Sequence, residues 1–252
     1  MTLQIVSDLE QLVTVAAERV VNLAAEAIAE NGRFTIALSG GSTPKPVYEK
    51  LATEGFAKRV DWPRVQIFWG DERCVPPDDP QSNYRMTREA LLDHVPIPAL
   101  NVHCIRGEQD PREAAEAYAR ELRAIFGGDA EKDDPPAKGF DLILLGMGDN
   151  GHTASLFPGL AAILEQCKWV LAQYVEVVTA WRITLTPVVI NAARNVTFLV
   201  SGAGKAEPLR QVLEGPYQPE VLPAQVIKPR NGRLTWLVDR PAAAHLKNAE
   251  QR

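Results

Sequence analysis

The stretch FDLILLGMGDNGHT, residues 140–153, decides the fold class of this 252-residue chain. Its first six residues are almost all apolar, which is typical of a parallel strand that is buried on both faces. The apolar run ends at Gly146, where a glycine-rich turn containing His152 begins. A strand of this kind predicts an α/β protein, in which the loop after the strand is a common place for a ligand.

Three other apolar segments also run into polar loops. Strands predicted at residues 34–38, 65–69 and 195–200 are followed by the loops SGGST (39–43), GDER (70–73) and SGAGK (201–205). Helical patterns separate these strands, and strands that alternate with helices indicate a mostly parallel α/β sheet. Because such sheets bind ligands outside the carboxyl ends of their strands, the four loops are the main indication of function.

The remaining patterns predict a long first helix and several further elements. Ser7 and Glu10 have the spacing of a capping box, and Asn31-Gly32 ends the amphipathic pattern. Further helices are predicted at residues 44–51, 83–92, 113–126, 187–193, 206–213 and 241–248, and further strands at 101–105, 169–178, 181–185 and 234–238. The charged segment 127–139 is predicted to be a solvated loop. Since a new strand-and-loop unit follows it at once, we predict one domain over residues 1–252.

The composition fits a soluble globular protein and excludes several other classes. Hydrophobic residues make up 46% and charged residues 23% of the chain, which excludes a mainly disordered protein. The net charge of −5 provides no overall basic footprint for nucleic acid. No stretch approaches the roughly 20 apolar residues of a membrane span, and the first residues lack the pattern of a signal peptide.

The cysteines and histidines give no support for disulfides or a metal site. Cys74, Cys104 and Cys167 are odd in number and widely spaced, so we expect a reducing compartment, the cytoplasm. The four histidines lack the spacing of zinc ligands. We therefore expect no bound metal.

The loop after the first predicted strand has the composition of an anion site. Gly40 and Gly41 would let backbone N–H groups approach an anion at the start of the next helix. Ser42 and Thr43 add hydroxyl donors. A tight turn capped by Thr43 is a compatible alternative, and phosphate binding is slightly favoured.

Three cationic side chains are further candidates for binding an anion. Arg73 is a candidate clamp that Asp71 or Glu72 would orient, although this charged triplet alone also fits a solvated face. Lys205 follows a glycine-containing strand end, but its loop lacks the first glycine and the Ser/Thr of a Walker A motif. Arg182 lies on a strand predicted to be buried and must pair with something. A ligand phosphate and a structural ion pair are equally compatible with it.

The loop at residues 146–151 matches the pattern G-x-G-x-x-G, which raises the possibility of dinucleotide binding. Pro158 follows too soon for the long helix of that motif, and no acidic residue ends a second strand about 20 residues later. His152 at a strand end is instead well placed for general base catalysis, because the ordinary pKa of histidine is about 6.5.

Taken together, these stretches resemble the family of 6-phosphogluconolactonases. The resemblance rests on LSGGST (38–43), WGDERCVP (69–76), SNY (82–84), LGMGDNGHTASLFP (145–158), RITLT (182–186) and SGAGK (201–205). GHTASLFP is the most specific of them, and all run in family order over about two thirds of the chain. The resemblance implies a three-layer α/β/α fold with a modified Rossmann topology, as in glucosamine-6-phosphate deaminase and ribose-5-phosphate isomerase.

The resemblance also implies a reaction and a set of residues. The reaction is hydrolysis of 6-phospho-D-glucono-1,5-lactone to 6-phospho-D-gluconate in the oxidative pentose phosphate pathway, without a metal or other cofactor. His152 is implied to be the general base that activates water. The small-molecule sugar phosphate lactone is expected to contact Gly40, Gly41, Ser42, Thr43, Asp71, Arg73, Asn150, Gly151, Arg182 and Lys205. We expect a monomer or a homodimer, with no nucleic-acid or membrane partner.

One position departs from the family pattern, and two other functions share the fold. The family commonly has Asp before Gly-His, whereas this chain has Asn150, with Asp149 one residue earlier. Which of the two contacts His152 is left open. A sugar-phosphate isomerase or deaminase is one alternative, but the deaminase has Glu before Pro where this chain has Phe157, which cannot act as acid or base. A non-catalytic sugar-phosphate-binding protein is the other.

Overall fold

The structure, a computed structural model that describes residues 1–127 and 135–247, contains two β-sheets. The strands are β1 (Thr2–Val6), β2 (Phe34–Leu38), β3 (Val65–Trp69), β4 (Asp71–Arg73), β5 (Leu142–Leu145), β6 (Val170–Val175), β7 (Ala180–Leu185), β8 (Asn195–Val200) and β9 (Arg233–Asp239). The helices are α1 (Leu9–Asn31), α2 (Pro44–Ala52), α3 (Glu54–Ala57), α4 (Asn83–Ala90), α5 (Pro111–Phe126), α6 (Pro187–Ile190), α7 (Ala206–Glu214) and α8 (Arg240–Ala243).

The larger sheet is parallel and has the strand order β1-β9-β8-β5-β2-β3. From β2 the chain passes outward to β3 and then returns to β5 on the other side of β2. This change of direction creates a crevice at the carboxyl ends of β2 and β5, which is where open α/β sheets bind ligands. The mostly parallel sheet predicted from the sequence is confirmed.

Both faces of the larger sheet are covered. On one face, Ile36 of β2 and Ile67 of β3 meet Val20 of α1 and Leu51 of α2 around a small apolar cavity. On the other face, Phe68 packs against Phe126 of α5, with the ring centroids 5.7 Å apart. Because side chains of a strand alternate between faces, these contacts define the predicted three-layer α/β/α arrangement.

The smaller sheet is antiparallel, with the order β4-β7-β6. It is joined to the larger sheet at Gly70, whose carbonyl oxygen accepts a 2.8 Å hydrogen bond from Leu185 N–H. Helix α5 packs against β6 and β7. The three-residue strand β4 was not predicted, because its charged sequence has no apolar pattern.

The start of the chain differs from the prediction. Residues Thr2–Val6 form β1, a strand at the edge of the sheet whose alternate residues are exposed, so they lack the continuous apolar run of a central strand. Asp8, not Ser7, caps α1 by accepting Gln11 N–H at 2.9 Å, and Ser7 donates its hydroxyl to Asp8. The helix ends as predicted, at Gly32 in the left-handed conformation with a φ of 75°.

The strand predicted at residues 101–105 is wrong. This segment touches the sheet through one isolated bridge, between Val102 and Ile67, and a 3-10 turn over Ala99–Asn101 precedes it. His103 N–H donates to Ile67 O at 2.8 Å. The segment therefore covers the outer edge of β3 without continuing along it.

Several predicted elements are shorter in the structure than in the prediction. β6 ends at Val175, where the 3-10 turn Glu176–Val178 begins, and α8 spans only Arg240–Ala243. The predicted end of the last helix at residue 248, and residues 128–134 of the predicted loop, lie outside the described residues. Among the described helices, none combines the length and the apolar character of a membrane span.

A buried tyrosine completes the hydrogen bonding at the end of β3. The Tyr118 hydroxyl accepts Trp69 N–H at 3.0 Å and donates to Trp69 O at 3.0 Å. Burial raises the pKa of Tyr118 well above its ordinary value, so the hydroxyl keeps its proton at neutral pH. Both backbone groups of an edge residue are thus paired inside the protein.

We expect Tyr118→Phe to lower the free energy of unfolding by about 1–3 kcal/mol, because it leaves a buried donor and acceptor unpaired. Urea unfolding measures this difference. Tyr84→Phe is the matched control, since the Tyr84 ring also packs on Trp69 but its hydroxyl has no hydrogen bond among the described residues. An equal effect of the two substitutions would contradict the role assigned to the Tyr118 hydroxyl.

Candidate active site

The loops that follow β2, β5 and β8 meet the β4–β7 pair around a cleft of about 330 Å³. The cleft lies at the carboxyl edge of the larger sheet, where the sequence predicted the site. Nine of the residues predicted to act in catalysis or binding line it: Gly40, Gly41, Ser42, Thr43, Asp71, Arg73, His152, Arg182 and Lys205.

The loop after β2 is held at its base by Tyr48 of α2. The Tyr48 hydroxyl accepts Ser39 N–H at 3.0 Å and donates to Ser39 O at 2.8 Å. Gly40 has no room for a side chain, because a Cβ there would lie 1.8 Å from Asn83 Oδ1, and Gly41 has a φ of 108°. The loop therefore requires glycine at both positions and brings its backbone to the cleft.

Thr43 precedes α2, but its hydroxyl makes no capping hydrogen bond to the described part of the chain. The alternative in which Thr43 serves only to cap the helix is therefore not supported. The hydroxyl lies in the lining of the cleft instead.

Glu72 anchors the segment that follows β4. Its buried carboxylate accepts the N–H groups of Arg73 at 2.7 Å and of Asn83 and Tyr84 at 2.8 Å each, and the Ser82 hydroxyl at 3.1 Å. Burial raises the pKa of Glu72, and these hydrogen bonds act in the opposite direction. Glu72 thus fixes the backbone of Arg73, and it does not orient the guanidinium as one reading of the sequence suggested.

Asp71 also serves a different partner from the one considered in the sequence. Its carboxylate accepts the Ser155 hydroxyl at 2.6 Å, and its carbonyl oxygen accepts Asn83 Nδ2 at 2.8 Å. The Arg73 guanidinium donates to the carbonyl oxygen of Gln81. Asp71 and Arg73 therefore reach the cleft as separate groups.

Two arginines stand directly opposite each other in the smaller sheet. Arg73 of β4 and Arg182 of β7 are cross-strand partners, and both line the cleft. The buried Nη1 of Arg182 has no hydrogen-bond partner in the described chain. Burial and then the charge of Arg73 lower the pKa of Arg182. Like charges in this position repel each other, whereas the charges of Asp71 and Glu72 act to raise the pKa of Arg182.

His152 is held by Asn150 and by Phe157. Asn150 Oδ1 lies 2.6 Å from His152 Nδ1 and also accepts His152 N–H at 3.2 Å. The Phe157 ring stacks on the imidazole, with centroids 4.1 Å apart and planes at 16°. A Cβ on Gly148 would lie 2.0 Å from the imidazole, so glycine is required there.

These contacts determine which nitrogen of His152 is available. Since Asn150 Oδ1 is an acceptor, the Nδ1 atom of His152 carries the proton and the Nε2 atom has a free lone pair. Burial lowers the pKa of His152, and the charge of Asp71 opposes that effect. The imidazole is therefore neutral and basic at Nε2 near neutral pH.

The structure resolves which acidic or amide residue contacts the histidine. Asn150 makes the contact, whereas Asp149 Oδ1 lies 2.5 Å from Lys205 Nζ. Gly151 packs against Leu222. Asn150 and Gly151, both predicted to bind substrate, lie behind the imidazole and are not part of the cleft lining.

Further cleft residues were missed by the sequence analysis. Asn83 belonged to the SNY stretch and lines the cleft, but nothing in that stretch alone showed that it would bind Asp71 O and pack against Gly40. Thr153, Ser155 and Phe157 line the cleft from the segment after His152. Among the described residues, no group of three or more His, Cys, Asp or Glu side chains could hold a metal ion.

The chain is similar to several proteins whose family is known. Residues 7–236 match the family model of glucosamine-6-phosphate isomerases/6-phosphogluconolactonase. Over 223 residues the chain is 44% identical to the 6-phosphogluconolactonase of Synechocystis sp., covering 88% of each chain. Over 246 residues it is 40% identical to that of Nostoc sp., covering 97% of this chain and 98% of the relative. Its structure matches 6-phosphogluconolactonase from Trypanosoma brucei with a TM-score of 0.86, 30% identity and coverage of 98% of both chains.

We expect Asn150→Asp to raise the pKa of His152, because a carboxylate 2.6 Å from Nδ1 would favour the imidazolium. Titration of the histidine ring protons by NMR measures this pKa. His94, an exposed histidine that bonds to Glu89 O, is an internal control in the same spectra. Identical His152 titration curves in the two proteins would contradict the contact.

Proposed function

We propose that this chain, which belongs to the glucosamine-6-phosphate isomerase/6-phosphogluconolactonase family, uses His152 as the general base of its reaction. It hydrolyses 6-phospho-D-glucono-1,5-lactone to 6-phospho-D-gluconate. The reaction is a step of the oxidative pentose phosphate pathway. The observation that carries the role of His152 is its hydrogen bond to Asn150, which leaves Nε2 free at the cleft.

In the proposed first step, Nε2 of His152 takes a proton from water while the water oxygen attacks the lactone carbonyl carbon. The carbonyl π bond breaks, and its electron pair moves to the carbonyl oxygen, which becomes an oxyanion. A positioned base of this type typically accelerates a reaction by about 10²–10⁴-fold. The lowered pKa of His152 supports this role, because the neutral form persists at neutral pH.

In the second step, the tetrahedral intermediate collapses and the bond between the carbonyl carbon and the ring oxygen breaks. The ring oxygen leaves as a hydroxyl by accepting the proton that His152 holds on Nε2. His152 is neutral again, and the product is the open-chain acid. One proton is thus carried from water to the leaving oxygen, so the base is restored in each turnover.

The oxyanion needs hydrogen-bond donors that are already in place. Two glycine N–H groups of the turn after β5 are engaged, since Gly148 N–H donates to His152 O at 2.9 Å and Gly151 N–H donates to Gly148 O at 3.0 Å. We assign the oxyanion to the backbone of Gly40 and Gly41, whose loop also lines the cleft.

Arg73, Arg182 and Lys205 are proposed to bind the 6-phosphate, with the hydroxyl groups of Ser42 and Thr43 as further donors. The facing arginines support this assignment, because a phosphate between them would relieve their repulsion and satisfy the buried Nη1 atom of Arg182. Charge-assisted hydrogen bonds from arginine to phosphate are among the strong ones. Fixing the phosphate would also orient the distant lactone carbonyl toward His152.

The environment of His152 disfavours the isomerase or deaminase chemistry of the same fold. Phe157 occupies the place of a glutamate in the deaminase and stacks on the imidazole. An apolar ring cannot transfer a proton at this position. The Phe157 ring instead holds the imidazole of His152 in one orientation, so that Nε2 can both accept and return the proton.

The compartment, the oligomeric state and the partners of the enzyme are also proposals. We propose that it works in the cytoplasm as a monomer or homodimer, with its substrate as the one small-molecule partner and no cofactor. The thiols of Cys74, Cys104 and Cys167 are free, which is compatible with a reducing compartment.

We expect His152→Ala to lower kcat by about 10²–10⁴-fold, because the mutant lacks the proton acceptor. The measurement is a lactonase assay from which spontaneous hydrolysis is subtracted. His245→Ala, at a histidine that contacts Glu207 outside the cleft, is the control and should keep the wild-type rate. A folded His152→Ala protein with wild-type kcat would contradict the proposal and favour another base.

We expect Arg182→Gln to raise KM for the phosphorylated lactone by about 10- to 100-fold, the range for losing a hydrogen bond to a charged group. Unphosphorylated glucono-1,5-lactone should be hydrolysed as by the wild type. Arg194→Gln removes a cation that pairs with Glu30 and Asp141, outside the cleft lining, and should change neither value. Equal losses on both substrates would show that Arg182 serves structure and not phosphate recognition.

A further inference from the structure

An ion pair connects two of the loops around the cleft. Lys205, in the loop after β8, lies with its Nζ atom 2.5 Å from Oδ1 of Asp149, in the loop after β5. The Lys205 side chain is 25% exposed and lines the cleft, whereas the Asp149 side chain is 82% exposed. The carboxylate thus approaches the ammonium group from the solvent side.

We propose that Asp149 is an internal competitor of the substrate phosphate: it holds Lys205 in the empty enzyme and lowers the affinity for the phosphorylated ligand. The inference rests on the proposed role of Lys205 in phosphate binding. It assigns to Asp149 a role in setting affinity, in addition to the effect of its charge, which raises the pKa of His152.

The charges decide which of the two anions Lys205 binds. A phosphate monoester carries a charge of about −1.5 to −2 at neutral pH, and it would meet Arg73 and Arg182 at the same time. Asp149 offers a single negative charge in a solvent-exposed position, where an ion pair contributes little. The phosphate therefore displaces the carboxylate, but the lost ion pair subtracts from the binding free energy.

The turn that carries Asp149 separates its effect from that of its neighbour. Asp149 and Asn150 are the two central residues of a turn closed by Gly151 N–H and Gly148 O at 3.0 Å. Asn150 contacts the imidazole of His152, and Asp149 contacts Lys205. Asparagine is as well suited to such a turn as aspartate, so Asp149→Asn removes the charge and retains the turn.

The experiment is a double-mutant cycle with Asp149→Asn, Lys205→Ala and the double variant. The readouts are KM for the phosphorylated lactone and the inhibition constant of the product 6-phosphogluconate. We expect Asp149→Asn alone to lower both constants by about two- to fivefold, the range for an exposed ion pair, with kcat unchanged at a pH where His152 is neutral in both proteins. In the Lys205→Ala background, Asp149→Asn should have no effect on either constant. Asp149→Asn should also leave the hydrolysis of unphosphorylated glucono-1,5-lactone unchanged.

Three outcomes would overturn the inference. Unchanged or raised constants in Asp149→Asn, with Lys205→Ala still selectively impaired on the phosphorylated substrate, would reject competition by Asp149 and keep the proposed role of Lys205. An equal gain in affinity in the wild-type and Lys205→Ala backgrounds would show that the Asp149 carboxylate repels the phosphate directly and does not compete for Lys205. If Lys205→Ala binds the phosphorylated ligand as tightly as the wild type, the phosphate role of Lys205 fails first, and the inference fails with it.

Discussion

Strands that run parallel in one sheet end at the same edge, and this constraint determines where the chemistry of the protein lies. The loops after β2, β5 and β8 come from distant parts of the sequence, yet they emerge side by side because the three strands are neighbours in the order β8-β5-β2. The chain changes direction between β2 and β5, so no connecting helix fills the space between their ends. The cleft is therefore a result of topology before any polar side chain is considered.

Topology alone does not hold loops in one conformation, and buried polar groups do this here. Tyr48 pairs both backbone groups of Ser39 at the end of β2, and Tyr118 does the same for Trp69 at the end of β3. The carboxylate of Glu72 accepts the N–H groups of Arg73 and Tyr84 in a similar way. These satisfied groups form a rigid support for the facing arginines, whose mutual repulsion is unfavourable in the free protein. Such a combination is common at sites where function requires an arrangement that does not favour stability.

The sequence was sufficient for the strands with continuous apolar runs, including the edge strand β3, and for the position of the site. β2, β3 and β8 have the predicted bounds, because strands buried on both faces need continuous apolar runs. β1 was missed because an edge strand with exposed alternate residues lacks that run. Side-chain direction was the main limit within the site. Whether Asp149 or Asn150 faces His152 depends on the geometry of one turn, and the unpartnered nitrogen of Arg182 depends on the register of two strands.

The way the large sheet ends on each side has a consequence for self-association. Strand β1 pairs with β9 along five residues and forms one edge of the large sheet, which is short and partly polar. At the other edge, β3, Ile67 O accepts His103 N–H and both backbone groups of Trp69 bond to the Tyr118 hydroxyl. An open sheet border is a template on which another chain can add a strand. Removal of Thr2–Val6 would expose the edge of β9, whose buried residues include Trp236 and Leu237. This apolar edge would then be a site for aggregation. Strand β1 thus protects the molecule against aggregation, although it lies outside the cleft.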